Sequence, residues 1–109
     1  MKANIFFDRA ELNRILGLYG RMVSAGEWRD YALDALEDRA VFSIYRRSSE
    51  SPLFQVVKRP KDFRKQGMYS VVSSAGAVLR RGPDLERVLG VMEPQRLRLI
   101  GADWTLKQA

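Results

Sequence analysis

The chain contains neither cysteine nor histidine. Without cysteine there can be no disulfide framework, no thiolate nucleophile and no cysteine-ligated zinc or iron–sulfur centre. Without histidine the usual general base near neutral pH is missing, together with the Ser/His/Asp and Cys/His arrangements and the commonest transition-metal ligand. Long apolar runs are also lacking: nothing approaches the roughly 18 residues of a spanning helix, and Asp8 and Arg9 interrupt the N-terminus before an apolar region of signal-peptide length can form. These absences predict a cytoplasmic protein in a reducing compartment, outside the membrane, with no metal and no cofactor.

What remains is a folding composition: 109 residues, 46% hydrophobic, 29% charged and 10% aromatic. A chain of this size buries roughly two thirds of the surface its unfolded form exposes, so one domain over residues 1–109 is expected, with an ordered core at about 5–101 and a loose tail at 102–109. Charge is unevenly placed. Residues 1–38 carry five Lys/Arg against seven Asp/Glu, whereas residues 39–109 carry fourteen against six, which leaves the whole chain at +6. A basic surface on the second part would attract an anionic partner.

Asp8 with Glu11 three residues later forms an acidic variant of the capping box. Beyond it Leu12, Ile15, Leu16, Tyr19, Met22 and Val23 recur at spacings of three and four, predicting an amphipathic helix over about 9–24 that Gly26 terminates in a left-handed conformation. Ile5, Phe6 and Phe7 staple the helix entry or join the core. Residues 28–36 fit either a strand or a helical face, with the balance toward a strand. AVFSIYRR, the turn SSESP and LFQVVKR then read as a hairpin. MYSVVSS, the turn Ser74-Ala75-Gly76 and AVLRR read as a second. Gly82-Pro83-Asp84 opens a short helix, with Pro83 near its first position and Leu85, Val88, Leu89 and Met92 on one face. RLRLI at 96–100 alternates as a last strand. The order predicts an α+β fold: an antiparallel meander sheet of about five or six strands, a long N-terminal helix on one face and a short C-terminal helix.

The densest chemical feature is Lys58-Arg59-Pro60-Lys61-Asp62-Phe63-Arg64-Lys65. Its basic groups suit phosphates and Phe63 suits base stacking, whereas the bland alternative is a wet hairpin loop with Phe63 tucked into the core. Joined by Arg80-Arg81 and Arg46-Arg47, the patch would hold nine basic residues. Alternation sets Val41, Ser43, Tyr45 and Arg47 on one strand face, where an aromatic and an arginine serve either base stacking or a homodimer contact. The arginine-glycine-aromatic strand motif of RNA-recognition sheets is absent. Gly17-Leu18-Tyr19-Gly20 resembles a KH-type phosphate clamp only superficially, because the apolar spacing continues through it; glycines allowing close helix packing are the better reading. Glu27, Asp30, Asp34, Glu37 and Asp38 form the only carboxylate cluster, and without calcium-loop glycines they read as solvated acids or partners of Arg29 and Arg39. Trp28 is either a partner anchor or the closure of one end of the core.

The segments FFDRAELNRILGLYGRMVSAGEWRDYALD, DRAVFSIYRR, KRP, RKQGMYSVVSSAGAVLRRGPDL and RLRLI together resemble an alphaproteobacterial family catalogued as domain of unknown function 2794, over roughly residues 5–100. The resemblance implies a small, stand-alone bacterial cytoplasmic protein and brings no catalytic residue, substrate or cofactor. The residues thus support two expectations. One is a nucleic-acid-binding module, RNA more than DNA, using Lys58, Arg59, Lys61, Arg64, Lys65, Arg80, Arg81 and Arg47, with Tyr45 or Phe63 stacking. The alternative is a homodimeric or protein-interaction module using Trp28 and Tyr45; an enzyme is the least supported reading.

Overall fold

A computed structural model of the chain describes residues 3–47 and 51–94. The first helix, α1, spans Arg9–Ser24 behind the predicted capping box: the Asp8 carboxylate accepts from the Glu11 backbone N–H at 2.8 Å and the Glu11 carboxylate accepts from the Asp8 N–H at 2.7 Å. Two of the four orphan donors of the first turn are thereby satisfied. Gly26 lies just past the helix at φ +77°, the left-handed conformation expected of it.

Five strands follow in chain order: β1 (Asp30–Ala35), β2 (Ala40–Tyr45), β3 (Phe54–Lys58), β4 (Tyr69–Ser73) and β5 (Val78–Gly82). They pair antiparallel in the spatial order β1-β2-β3-β4-β5, so every connection is a hairpin and the sheet is a meander. The ambiguous stretch at 28–36 is therefore a strand. A short helix α2 (Leu85–Leu89) and a one-turn 3-10 helix at Gly90–Met92 complete the described fold. RLRLI at 96–100, the tail beyond it and most of the SSESP turn lie outside the described residues.

Strand alternation sorts the side chains. Phe42, Ile44, Phe54, Val56, Tyr69 and Val71 face Ile15, Leu18 and Met22 of α1 and Leu85, Val88 and Leu89 of α2, and this layer is the core. At roughly 25 cal/mol per Å² of apolar area, burying side chains of this size drives the helices onto one face of the sheet. The opposite face, carrying Ala32, Val41, Ser43, Gln55, Val57, Ser70, Val72 and Val78, is packed by no described helix. Val41 and Ser43 are nonetheless buried there, deep within the central strands.

Two local expectations are corrected. Asp84, with its side chain accepting from the Glu86 and Arg87 N–H groups, is the cap of α2, so Pro83 precedes the helix and does not begin it. Gly17 and Gly20 do not mediate close packing: a Cβ on Gly20 meets nothing within 4 Å, and one on Gly17 meets only the Arg21 guanidinium at 4.0 Å. They sit on the solvent side of α1, where glycine costs the helix stability.

The glycine the fold requires is Gly67. It is buried at φ +86°, and a Cβ there would stand 2.1 Å from the Gly82 carbonyl carbon and 2.4 Å from the Pro83 nitrogen, both immovable backbone. Gly67→Ala is expected to cost at least about 3 kcal/mol through steric overlap and backbone strain. Gly20→Ala is expected to stabilise by about 0.5–1 kcal/mol. Urea denaturation of the two variants checks both signs.

Candidate nucleic-acid interface

The basic residues divide according to where the hairpins place them. Lys58 ends β3 on the core side and points under the N-terminus of α1. Its Nζ lies 2.8 Å from the Glu11 carboxylate and 2.9 Å from the Phe6 carbonyl, with only 14% of its side chain exposed. The same carboxylate accepts a short hydrogen bond from the Tyr69 hydroxyl. Lys58 is therefore a structural cation, occupied in neutralising a buried acid.

Arg59 turns to the opposite face, where it is held by Asp38 at 3.2 Å and Asp62 at 4.0 Å. Arg39 shares Asp38, at 3.0 Å. Beyond Arg59 the chain makes one 3-10 turn at Pro60–Asp62 and continues to Gly67, exposing Lys61, Phe63, Arg64 and Lys65. Phe63 is not tucked into the core: it is 60% exposed, and the Arg64 guanidinium lies over its ring at 5.5 Å. Arg81 lies opposite Ser70, which places it on the same open face. Arg39, Arg59 and Arg81 line one concavity of about 350 Å³ whose floor includes Val57, Ser70, Val72 and Val78. Arg80 lines a smaller recess of about 180 Å³ shared with Arg81 and Arg87 at the β5 edge.

Tyr45 and Arg47 are not part of this cluster. Ala40 pairs with Lys58, so β2 starts at the basic end of the sheet and Tyr45, five residues on, lies about 17 Å away at the other. There Tyr45 is half-buried beside Asp30, and Arg46 and Arg47 line a separate concavity of about 460 Å³ with Arg29 and Trp28. The predicted patch of nine thus splits in two, because successive turns of a meander emerge at alternate ends.

Trp28 is 3% exposed and packs between Tyr19 and Phe54, each ring centroid 6.2 Å away, which makes it the closure of the core and not a surface anchor. Its indole Nε1 has no hydrogen-bond partner among the described residues. Asp30 and Asp34 share a strand face as alternation requires, and among the described residues no group of three or more acids is arranged to hold a metal ion. None of the described helices is long and apolar enough to cross a membrane.

Sequence reasoning missed the groove itself. Arg39 and Arg81 are 42 positions apart in the chain, and only the register Val41–Val57–Ser70–Arg81 brings them to one concavity. It also missed the Glu11–Lys58–Tyr69 network, although an acid at the third helical position already hinted that Glu11 had a local role.

A family model, Protein of unknown function (DUF2794), matches residues 5–89, which spans α1, the sheet and α2. No curated protein and no solved structure matches the chain.

The network generates two expectations. Lys58→Met, which strips a buried carboxylate of its cation, should destabilise the fold by about 3 kcal/mol in denaturant titration. Burial and the neighbouring Glu11 carboxylate push the Tyr69 hydroxyl above its ordinary value. A group raised in this way contributes its full stability below the unfolded value near 10 and loses it as pH climbs toward the folded one. Thermal melts should therefore fall above pH 10 in the wild type, and less steeply in Tyr69→Phe.

Proposed function

We propose that this chain, which belongs to the DUF2794 family, is a cytoplasmic module that binds single-stranded nucleic acid, RNA more than DNA, at the basic end of its open sheet face. The observation that carries the reading is the convergence of Arg39, Arg59 and Arg81 on one groove beside the exposed loop of Lys61, Phe63, Arg64 and Lys65. Flexible cations suit a phosphate backbone, and an exposed aromatic ring suits an unstacked base. The groove floor of valine and serine gives a sugar or base an apolar bed, while Asp38 and Asp62 keep Arg59 oriented. Lys58, Tyr45 and Arg47 have no part in this site. Arg80 contributes only to the field at its rim.

Fluorescence anisotropy of short labelled RNA and DNA oligomers across a salt series tests the reading. Binding should weaken as salt rises, with RNA held more tightly than DNA of the same sequence. Lys61→Ala/Arg64→Ala/Lys65→Ala should lower the log–log salt slope by about 2, since each cation on a single strand contributes about 0.7. Phe63→Ala should cost about 1–3 kcal/mol with the slope unchanged, as removal of a stacking ring does. No binding at low salt, or wild-type affinity in the triple variant, would reject the site.

A further inference from the structure

The two edges of the sheet are built differently. β5 is guarded: it carries a bulge opposite Val71 and Val72, the charged pair Arg80-Arg81, and Gly82-Pro83 at its end. Such devices discourage strand addition. β1 has neither proline nor bulge, and its two charges, Asp30 and Asp34, both lie on the open face. Its sequence DYALDA is regular, without proline, lysine or bulge, and on the helix side it presents Tyr31 and Leu33, 41% and 48% exposed. Of the seven large exposed hydrophobic residues described, five lie along this seam: Phe6, Val23, Tyr31, Leu33 and Leu36. Val23 is one turn beyond Tyr19, whose ring meets Tyr31 at 4.9 Å.

Among the described residues the backbone of β1 is also open, the N-terminal segment meeting it only past its end, where the Ile5 N–H donates to the Leu36 carbonyl at 2.7 Å. The Leu36 N–H bonds to the Arg39 carbonyl, so the ladder toward β2 uses Asp34 and Ala32, and the main-chain groups of Tyr31, Leu33 and Ala35 face outward. Among the described residues, of these groups only the Tyr31 N–H is met, by the carboxylate of its own neighbour Asp30 at 2.9 Å.

We infer that β1 pairs antiparallel with β1 of a second copy, about a two-fold axis at Leu33, to continue the sheet across the dimer. Charge and parity select this register. Outward-facing groups must pair with outward-facing groups, which leaves two arrangements that use most of the strand. In one, Tyr31 opposes the partner's Leu33 and Asp34 opposes the partner's Asp30 twice over, a like-charge contact. In the other, Leu33 opposes the partner's Leu33, Tyr31 opposes the partner's Ala35, and Asp34 opposes the partner's Ala32. On the open side Asp34 then faces alanine and Asp30 faces the partner's Leu36, so no acid directly opposes another, and on the helix side the Tyr31 ring faces the small Ala35. At each end of the seam Phe6 of one copy approaches Val23 of the other on the helix side. With about 200 Å² for an aromatic side chain and less for the aliphatic ones, these five expose on the order of 400 Å² per copy. Two copies with paired backbones therefore reach the roughly 1,000 Å² of a specific interface.

The absence of native cysteine makes the register directly testable in the full chain. Opposed residues of a hydrogen-bonded antiparallel pair lie about 5.5 Å apart at Cα, within disulfide range. Leu33→Cys should give a covalent dimer under mild oxidation, and Val78→Cys, equally exposed on the guarded strand, should not. Light scattering should show a dimer for the wild type, and Leu33→Lys should weaken association by at least about tenfold while retaining the wild-type circular dichroism spectrum. A wild-type monomer at high concentration, open-ended oligomers, or cross-linking of Val78→Cys as fast as Leu33→Cys would each overturn the assignment. The seam uses β1 whereas Phe63 and the basic loop follow β3, so affinity for a short oligomer held by one copy is a separate readout.

Discussion

Most of this structure is organised around one carboxylate. Glu11 is 7% exposed and accepts from the Asp8 N–H, from Lys58 Nζ and from the Tyr69 hydroxyl. One side chain thus caps α1, fixes the helix over β3 and β4, and, through Lys58 and the Phe6 carbonyl, secures the segment that enters the helix. Burying a charge is unfavourable unless its partners are complete, and here they come from three separate elements. The arrangement specifies how the helix sits on the sheet, which the hydrophobic layer alone would leave freer to slide. It also withdraws one lysine from the surface, so the basic run of the third hairpin connection is divided at its first residue.

That division, followed by the alternation of hairpin ends, decides what surface chemistry the fold can present. A meander delivers successive turns to opposite ends of the sheet. The Asp38-Arg39 turn, the Lys61–Lys65 loop and the end of β5 therefore share one end, whereas Gly26–Arg29 and Arg46-Arg47 share the other. Charge that looks continuous along the chain is sorted by topology into two clusters. Only one of them meets an exposed aromatic ring and an apolar groove floor, and this is why the loop end, not the Tyr45 end, carries the binding proposal.

How much of this was legible depended on range. The capping box, the helix at 9–24 and the two hairpins were all readable, because each is a local pattern of period 3.6 or 2 with its own stop signal. Residues 28–36 were ambiguous locally because Tyr31, Leu33 and Ala35 alternate as a strand does while Tyr31, Ala32, Ala35 and Leu36 fit a helical face, and pairing with β2 settled them. Lys58 could not be told from Lys61 in a run of like residues: one faces Glu11, 47 positions away, and the other faces water. Gly17 and Gly20 were misread although the sequence carried the sign: at about 100° per residue both fall outside the apolar stripe of Leu12, Ile15, Leu16, Tyr19, Met22 and Val23, toward solvent. The match of the family over residues 5–89 agrees with the resemblance drawn from the segments, though over a shorter span than 5–100.

The exposed edge and the basic groove are compatible by construction. In the proposed dimer a two-fold axis at Leu33 would run through the sheet, so both open faces would stay on the same side. The antiparallel register would send the two basic ends in opposite directions, leaving the acidic row of Asp30 and Asp34 between them. A strand bound at one groove would be repelled from that central row, so each copy would hold its own short segment. Two such grooves on one continuous face would raise avidity for a nucleic acid long enough to loop between them, without any new contact. The edge without proline or bulge and the end that gathers the arginines are thus separable features of one sheet, and in the proposed dimer the first would multiply the effect of the second.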